Sequence, residues 1–158
     1  MHSINFNQKL DGSDLKIAIV RSRFNEEITQ ALLDGALSGL SEANVNSEDV
    51  RVFTVPGAFE ISLAAKKAAQ TGEFDVIICL GAVIKGNTMH FDYINQAVTA
   101  GIVQVNLETE IPVIFGVLTV DSVEQALERT RPDKTNKGYE VALSAVEMAK
   151  TCQEIEEI

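Results

Sequence analysis

The chain has 158 residues, a length that suits one domain and lets a core form without metal or disulfide staples. Hydrophobic residues make up 46% and charged residues 23%, which excludes disorder for the bulk of the chain. Thirteen Lys and Arg against 23 Asp and Glu leave a formal charge of −10, which argues against nucleic acid and anionic membranes as partners. Any bound anion must then be caught by a few local cations or by backbone N–H groups.

Cys79 lies in the apolar run Val76–Leu80 and Cys152 is far from it, so reduced thiols and no metal cluster are expected. No apolar stretch approaches the ~20 residues of a membrane span. The opening Met1 to Asn7 lacks a secretory pattern, so the expectation is a soluble cytoplasmic protein. Residues 1–158 read as one domain, with 1–12 as an N-terminal arm and 152–158 as an acidic C-terminal tail.

Leu15 to Val20 reads as a first strand. From Asn25, a candidate N-cap, the period changes: Ile28, Leu32, Leu33, Ala36, Leu37 and Leu40 form a helical stripe. Val50 to Val55 alternates as a second strand and stops at Pro56-Gly57. A second helix follows through Ile61, Ala64, Ala65 and Ala68, with Gly72 as its C-terminal cap. Val76 to Val83 is a strand buried on both faces, as a central parallel position requires. Phe91, Ile94, Val98 and Ile102 mark a third helix.

Ile111 to Leu118 is the fourth strand, with Pro112 near its start. Asp121-x-x-Glu124 resembles a capping box that opens a fourth helix. The last helix starts near Lys137-Gly138 and runs through Val141, Ala145, Val146 and Met148. Alternating strands and helices give an α/β fold with a parallel sheet covered on both faces. Ligands of such sheets bind beyond the carboxyl ends of the strands.

After the first strand, Phe24 is either a staple on the helix or a stacking surface for a flat ring. After the second, Pro56-Gly57-Ala58-Phe59-Glu60 permits close backbone approach, and Glu60 either stabilises the helix dipole or meets a ligand. After the third comes Gly81-Ala82-Val83-Ile84-Lys85-Gly86-Asn87-Thr88-Met89-His90. It nearly spells a nucleotide loop, but Asn87 stands where the lysine belongs, which disfavours a nucleoside triphosphate. Glycine and small polar residues before a helix N-terminus still make a cradle for one phosphate. His90, within a turn of it, is either structural or a general acid/base. Arg129, Arg131, Lys134 and Lys137 cluster beyond the fourth helix, as solvated charge or as phosphate ligands. Nucleophile elbow, zinc and dinucleotide motifs are absent, which leaves cofactor-free chemistry on a small phosphorylated molecule.

Phe24-Asn25-Glu26, Pro56 to Glu60, Gly81 to Phe91 and Asn136-Lys137-Gly138, in this order and spacing, resemble the lumazine synthase family of riboflavin biosynthesis. The resemblance runs from about Leu15 to Met148 and includes Ile111 to Gly116, Glu124 to Arg129 and Ala145 to Met148. It implies a flavodoxin-like three-layer sandwich with a four-stranded parallel sheet. It implies a transferase that condenses 5-amino-6-(D-ribitylamino)uracil with 3,4-dihydroxy-2-butanone 4-phosphate to 6,7-dimethyl-8-ribityllumazine, releasing phosphate and water. No cofactor or metal is implied.

By the same resemblance Phe24 stacks on the pyrimidine, while backbone groups near Asn25 and along Ala82, Val83 and Ile84 read its edge. Ala58, Phe59 and Glu60 hold the ribityl chain; Asn87 and Thr88 bind phosphate; Arg129 completes that site and His90 moves protons. Phe115, Arg129 and Lys137 come from the neighbouring subunit of a pentamer. Riboflavin synthase is a further implied partner. Lys85, Met89 and the Pro132-Asp133 pair depart from the family pattern, and the last leaves pentamer or icosahedral shell of twelve pentamers open. Ser3 to Asn7 is expected to add an edge strand to a neighbour's sheet. A receiver-type signalling module would need acidic residues where Arg21-Ser22-Arg23 and Gly81 stand. A non-catalytic flavin-binding or shell-forming protein on the same scaffold is the alternative.

Overall fold

In a computed structural model, residues 9–158 are described; His2 and the strand-forming segment expected at Ser3 to Asn7 lie outside them. The apolar runs form strands β1 (Ile17–Ser22), β2 (Val50–Val55), β3 (Val76–Ile84) and β4 (Val113–Val120). All pairings are parallel, in the order β2-β1-β3-β4. The helices are α1 (Glu26–Glu42), α2 (Ile61–Gln70), α3 (His90–Thr109), α4 (Val123–Glu128) and α5 (Lys137–Glu156).

Two apolar cores separate the layers. Side chains of α1, α4 and α5 pack with Ile17, Ile19, Ile78 and Leu80 on one face of the sheet. Those of α2 and α3 pack with Ala18, Val20, Ile77 and Cys79 on the other. The fold is the single-domain α/β three-layer arrangement that the strand–helix alternation requires. Burial on both faces explains why β1 and β3 carry almost no polar residues before their last positions. It also pushes the Cys79 thiol up to about 12, so that the group stays protonated.

Several local expectations shift. β1 starts two residues later than the apolar run, because both backbone groups of Lys16 are taken by Asp75: its N–H by the carboxylate and its carbonyl by the N–H, each at 2.8 Å. It extends to Ser22 because that residue still pairs with Val55. Leu37 is 40% exposed, since it lies a further 100° around α1 from buried Ala36; Met148 is likewise turned outward on α5. The fourth helix is capped one residue later than the Asp121 box predicts. Ser122 Oγ accepts from Gln125 N–H at 3.2 Å, and Gln125 Oε1 accepts from Asp121 N–H at 2.7 Å. Gly72, at φ 73°, takes the left-handed conformation that ends α2. The acidic stretch 152–158 continues α5 as far as Glu156. Among the described residues no helix is long and apolar enough to cross a membrane.

Helices α1 and α5 form a tightly packed pair, and a methyl on Gly39 would come within 2.9 Å of Ala142 Cβ. At its end, Tyr139 Oη donates to Glu42 Oε2 at 2.7 Å and Lys134 Nζ lies 3.3 Å from Oε1. The Tyr139 hydroxyl and then Lys134 hold the Glu42 carboxyl below its ordinary value of 4.5. A carboxylate held low stabilises the fold above its unfolded value, and that contribution disappears as pH falls through the folded one. Glu42→Gln is therefore expected to melt below the parent at neutral pH. Thermal melts should show the gap closing below pH 4.5, not above it.

Candidate active site

The strand registers bring three loops to one edge. After β1 the chain stays bonded to the exit of β2: Arg23 N–H donates to Val55 O at 2.9 Å and Phe24 N–H to Pro56 O at 3.1 Å. Phe24 is thereby turned out of the core and is 70% exposed, so it is no staple on α1. Asn25 occupies the N-cap position in the left-handed conformation, φ 60° and ψ 51°, which asparagine tolerates better than most residues. Its side chain does not cap α1 as expected. Nδ2 instead crosses to the end of β3 and donates to Ala82 O at 3.0 Å.

β3 overshoots its neighbour. It pairs with β1 only as far as Leu80 but with β4 as far as Ile84. Ile77 and Lys85 both donate toward β4, to Pro112 O and Val120 O at 2.9 Å, so alternate residues bond on that side. The backbone of Ala82 and Ile84 therefore faces the β1 side, where the sheet has ended. Asn25 occupies one of these groups. The others face the space beyond the sheet, and Val83 spends its own on β4.

After β2, a 3-10 turn over Ala58–Glu60 leads into α2. Glu60 Oε2 accepts from Gly57 N–H at 3.0 Å, so one carboxylate oxygen closes the turn. Oε1 has no hydrogen-bond partner among the described residues. Both readings of Glu60 can then hold together, one for each oxygen. After β3, the N–H groups of Gly86, Asn87, Thr88 and Met89 meet no acceptor among the described residues. His90 opens the 20-residue helix α3, and its N–H points to Thr88 Oγ1 at 3.3 Å. Free N–H groups, a hydroxyl and the positive end of a helix dipole make an anion cradle.

Between the three loops lies a cleft of about 610 Å³, lined by Phe24, Asn25, Ala58, Phe59, Glu60, Ala82, Val83, Ile84, Thr88 and His90. Asn87 sits in the chain between Gly86 and Thr88, which both line it. Phe91 and Ile94, which mark the third helix in the sequence, also line the cleft. The stripe they begin runs unbroken into buried Val98 and Ile102, so periodicity had no signal to separate them.

Phe115, Arg129 and Lys137 are not part of this wall. Phe115, near the start of edge strand β4, pairs with Cys79 and is 38% exposed. Arg129 ends α4, with Nη1 on Gln125 O at 2.9 Å; Lys137 opens α5 and pairs with Glu140 at 3.0 Å. Lys137 N–H donates to Arg129 O at 2.8 Å, so the two cations share one loop closure. Among the described residues no three His, Cys, Asp or Glu side chains gather as a metal site needs.

An exposed aromatic ring, a carboxylate with one uncommitted oxygen, the free N–H groups before a helix and an imidazole thus meet in one cleft. The profile of one protein family, described as 6,7-dimethyl-8-ribityllumazine synthase, matches residues 14–153, which take in every strand and nearly all of α5. The chain belongs to the 6,7-dimethyl-8-ribityllumazine synthase family.

Proposed function

We propose that this chain condenses 5-amino-6-(D-ribitylamino)uracil with 3,4-dihydroxy-2-butanone 4-phosphate, forming 6,7-dimethyl-8-ribityllumazine and releasing phosphate and water. The observation that carries this reading is the meeting of exposed Phe24, Glu60 and the α3 N-terminus in one cleft. The flat pyrimidine stacks on Phe24, and the backbone that the end of β3 presents beyond the last β1 pair, at Ile84, reads its edge. Asn25 holds the Phe24 loop against β3, which fixes the platform relative to that edge. The ribityl chain lies along Ala58 and Phe59, with its hydroxyls donating to Glu60 Oε1. The ester phosphate sits on the N–H groups and hydroxyl of Asn87 and Thr88.

The amine of one reactant then lies beside the carbonyl of the other. Holding two reactants in register lowers a barrier by ~7–11 kcal/mol in favourable cases, against ~10²–10⁴-fold from one proton shuttle. His90, one helical turn from the phosphate, takes and returns protons as the imine forms and the phosphate leaves. No cofactor is needed for these steps.

A second copy completes the site with Phe115, Arg129 and Lys137, in a pentamer or a shell of pentamers. Support comes from exposed apolar residues on the outer side of α3, where Val103 and Leu107 line a broad depression with Thr99 and Ala100. Such patches mark surfaces that bind another protein. A cytoplasmic location and contact with riboflavin synthase belong to the same reading.

Mixing the purified protein with both substrates should generate lumazine absorbance; its absence, with flavin bound instead, would favour a non-catalytic relative. His90→Ala should slow turnover by no more than ~10²–10⁴-fold and leave activity measurable, because orientation survives. Arg129→Ala removes a charged phosphate partner of about 1.5–3 kcal/mol. The Michaelis constant for the phosphate ester should rise about ten- to hundredfold, and unchanged kinetics for that ester would refute the assignment.

A further inference from the structure

The loop between α4 and α5 runs from Arg129 to Asn136, just before Lys137, and Arg131 to Thr135 are exposed. It stands off α1 across a cavity of about 290 Å³ that reaches Asp34, Ser38 and Tyr139. Little packing can therefore fix it. Lys134 reaches Glu42 on α1, but an exposed pair of this kind is weak and screened by salt. The stronger strut is Asn136, a buried residue whose amide is fully used. Oδ1 accepts from the N–H groups of Gly138 at 2.7 Å and Tyr139 at 3.3 Å. Nδ2 donates to Ala31 O on α1 at 3.1 Å and to Arg131 O in the loop at 3.0 Å.

The surroundings are cut to this one side chain. A methyl on Gly35 would collide with the Asn136 amide, and one on Gly138 would collide with the carbonyl of Leu32. Among side chains of this size only a carboxamide offers two donors and an acceptor together. Asn136 thus caps α5, whose first residue is Lys137, and ties the strand of loop that follows Arg129 to α1. The hydrogen bond from Lys137 to Arg129 closes the same ring.

We propose that Asn136 is a positioning residue that holds Arg129 and Lys137 as one unit, in the geometry with which they reach a neighbouring copy's cleft. This rests on the reading that Arg129 binds the ester phosphate. Asn136 touches no substrate itself. Its effect is transmitted because misplacing a binding group by 1 Å can cost about 10²-fold.

Asn136→Asp separates positioning from capping. A carboxylate still accepts from Gly138 and Tyr139, but it cannot donate to Ala31 O or Arg131 O. Asn136→Ser makes the same separation with a neutral cap and serves if the aspartate variant does not fold. Steady-state kinetics would be measured for each variant in the parent and in the Arg129→Ala background. The expected result is a fivefold or larger rise in the Michaelis constant for the phosphate ester, present in the parent and absent once Arg129 is gone. The same factor in both backgrounds would mean general damage to the fold and would overturn the proposal, as would an unchanged constant in the parent. An Arg129→Ala enzyme with normal use of the ester would instead bring down the phosphate assignment, and this inference with it.

Discussion

Parallel pairing in register is the constraint from which the cleft follows. Because every strand runs the same way, the segments that leave β1, β2 and β3 emerge at one edge of the sheet. The ladders are of unequal length, and β3 runs on past the end of β1 while still paired to β4. A notch results, with backbone groups of Ala82 and Ile84 on its floor. An unmade hydrogen bond costs about 1–3 kcal/mol when buried, so such groups must face water or a ligand. Asn25, in its left-handed conformation, closes part of the notch and ties the first loop to the third. At this notch a left-handed asparagine and the unused donors of the loop after β3 meet, as expected where structure serves binding.

An acidic chain that binds an anion needs local positive charge that does not depend on the net field. The α3 N-terminus supplies roughly half an elementary charge, effective only within about the first turn. Arg129 and Lys137 flank a loop away from this cleft, and each already has an acidic neighbour: Glu128 lies 3.9 Å from Arg129 and Glu140 3.0 Å from Lys137. These pairs are exposed and so contribute about 0–1 kcal/mol. A phosphate can therefore take over either cation at small cost. What a phosphate cannot supply is the position of the loop, and that is where the buried, fully bonded amide of Asn136 differs from the surface pairs around it.

The alternation of the fold was legible because each apolar run had the period of its element, and because glycine and proline stood where strands and helices stop. The grouping of Phe24, Glu60, Thr88 and His90 was legible because each follows a strand whose end must share an edge with the others. What misled lay in competition among polar residues. Asp121 and Ser122 could each cap α4, and only the reach of Gln125 decides between them. Asn25 stood at a cap position, yet a carbonyl 57 residues away proved the better acceptor for its amide. Asn136 passed as part of a motif because its partners on α1 lie 105 residues distant. Local pattern carries no trace of such bonds.

The open side of the cleft has its own physical logic. Phe24 lies mostly uncovered, and a ring stacked on it in a lone chain would keep one face in water. Orientation is effective only when both reactants are confined, so a second apolar wall has to close over the first. Phe115, partly exposed on the sheet, is a ring without a full set of neighbours in this chain. Arg129 and Lys137 are cations whose local partners are weak. In the proposed assembly these are the groups that complete a neighbouring copy's site. Under that proposal the attachment of the cation loop to α1 by Asn136 has a reason, since a residue that meets a separate molecule cannot rely on the cleft's own walls to place it.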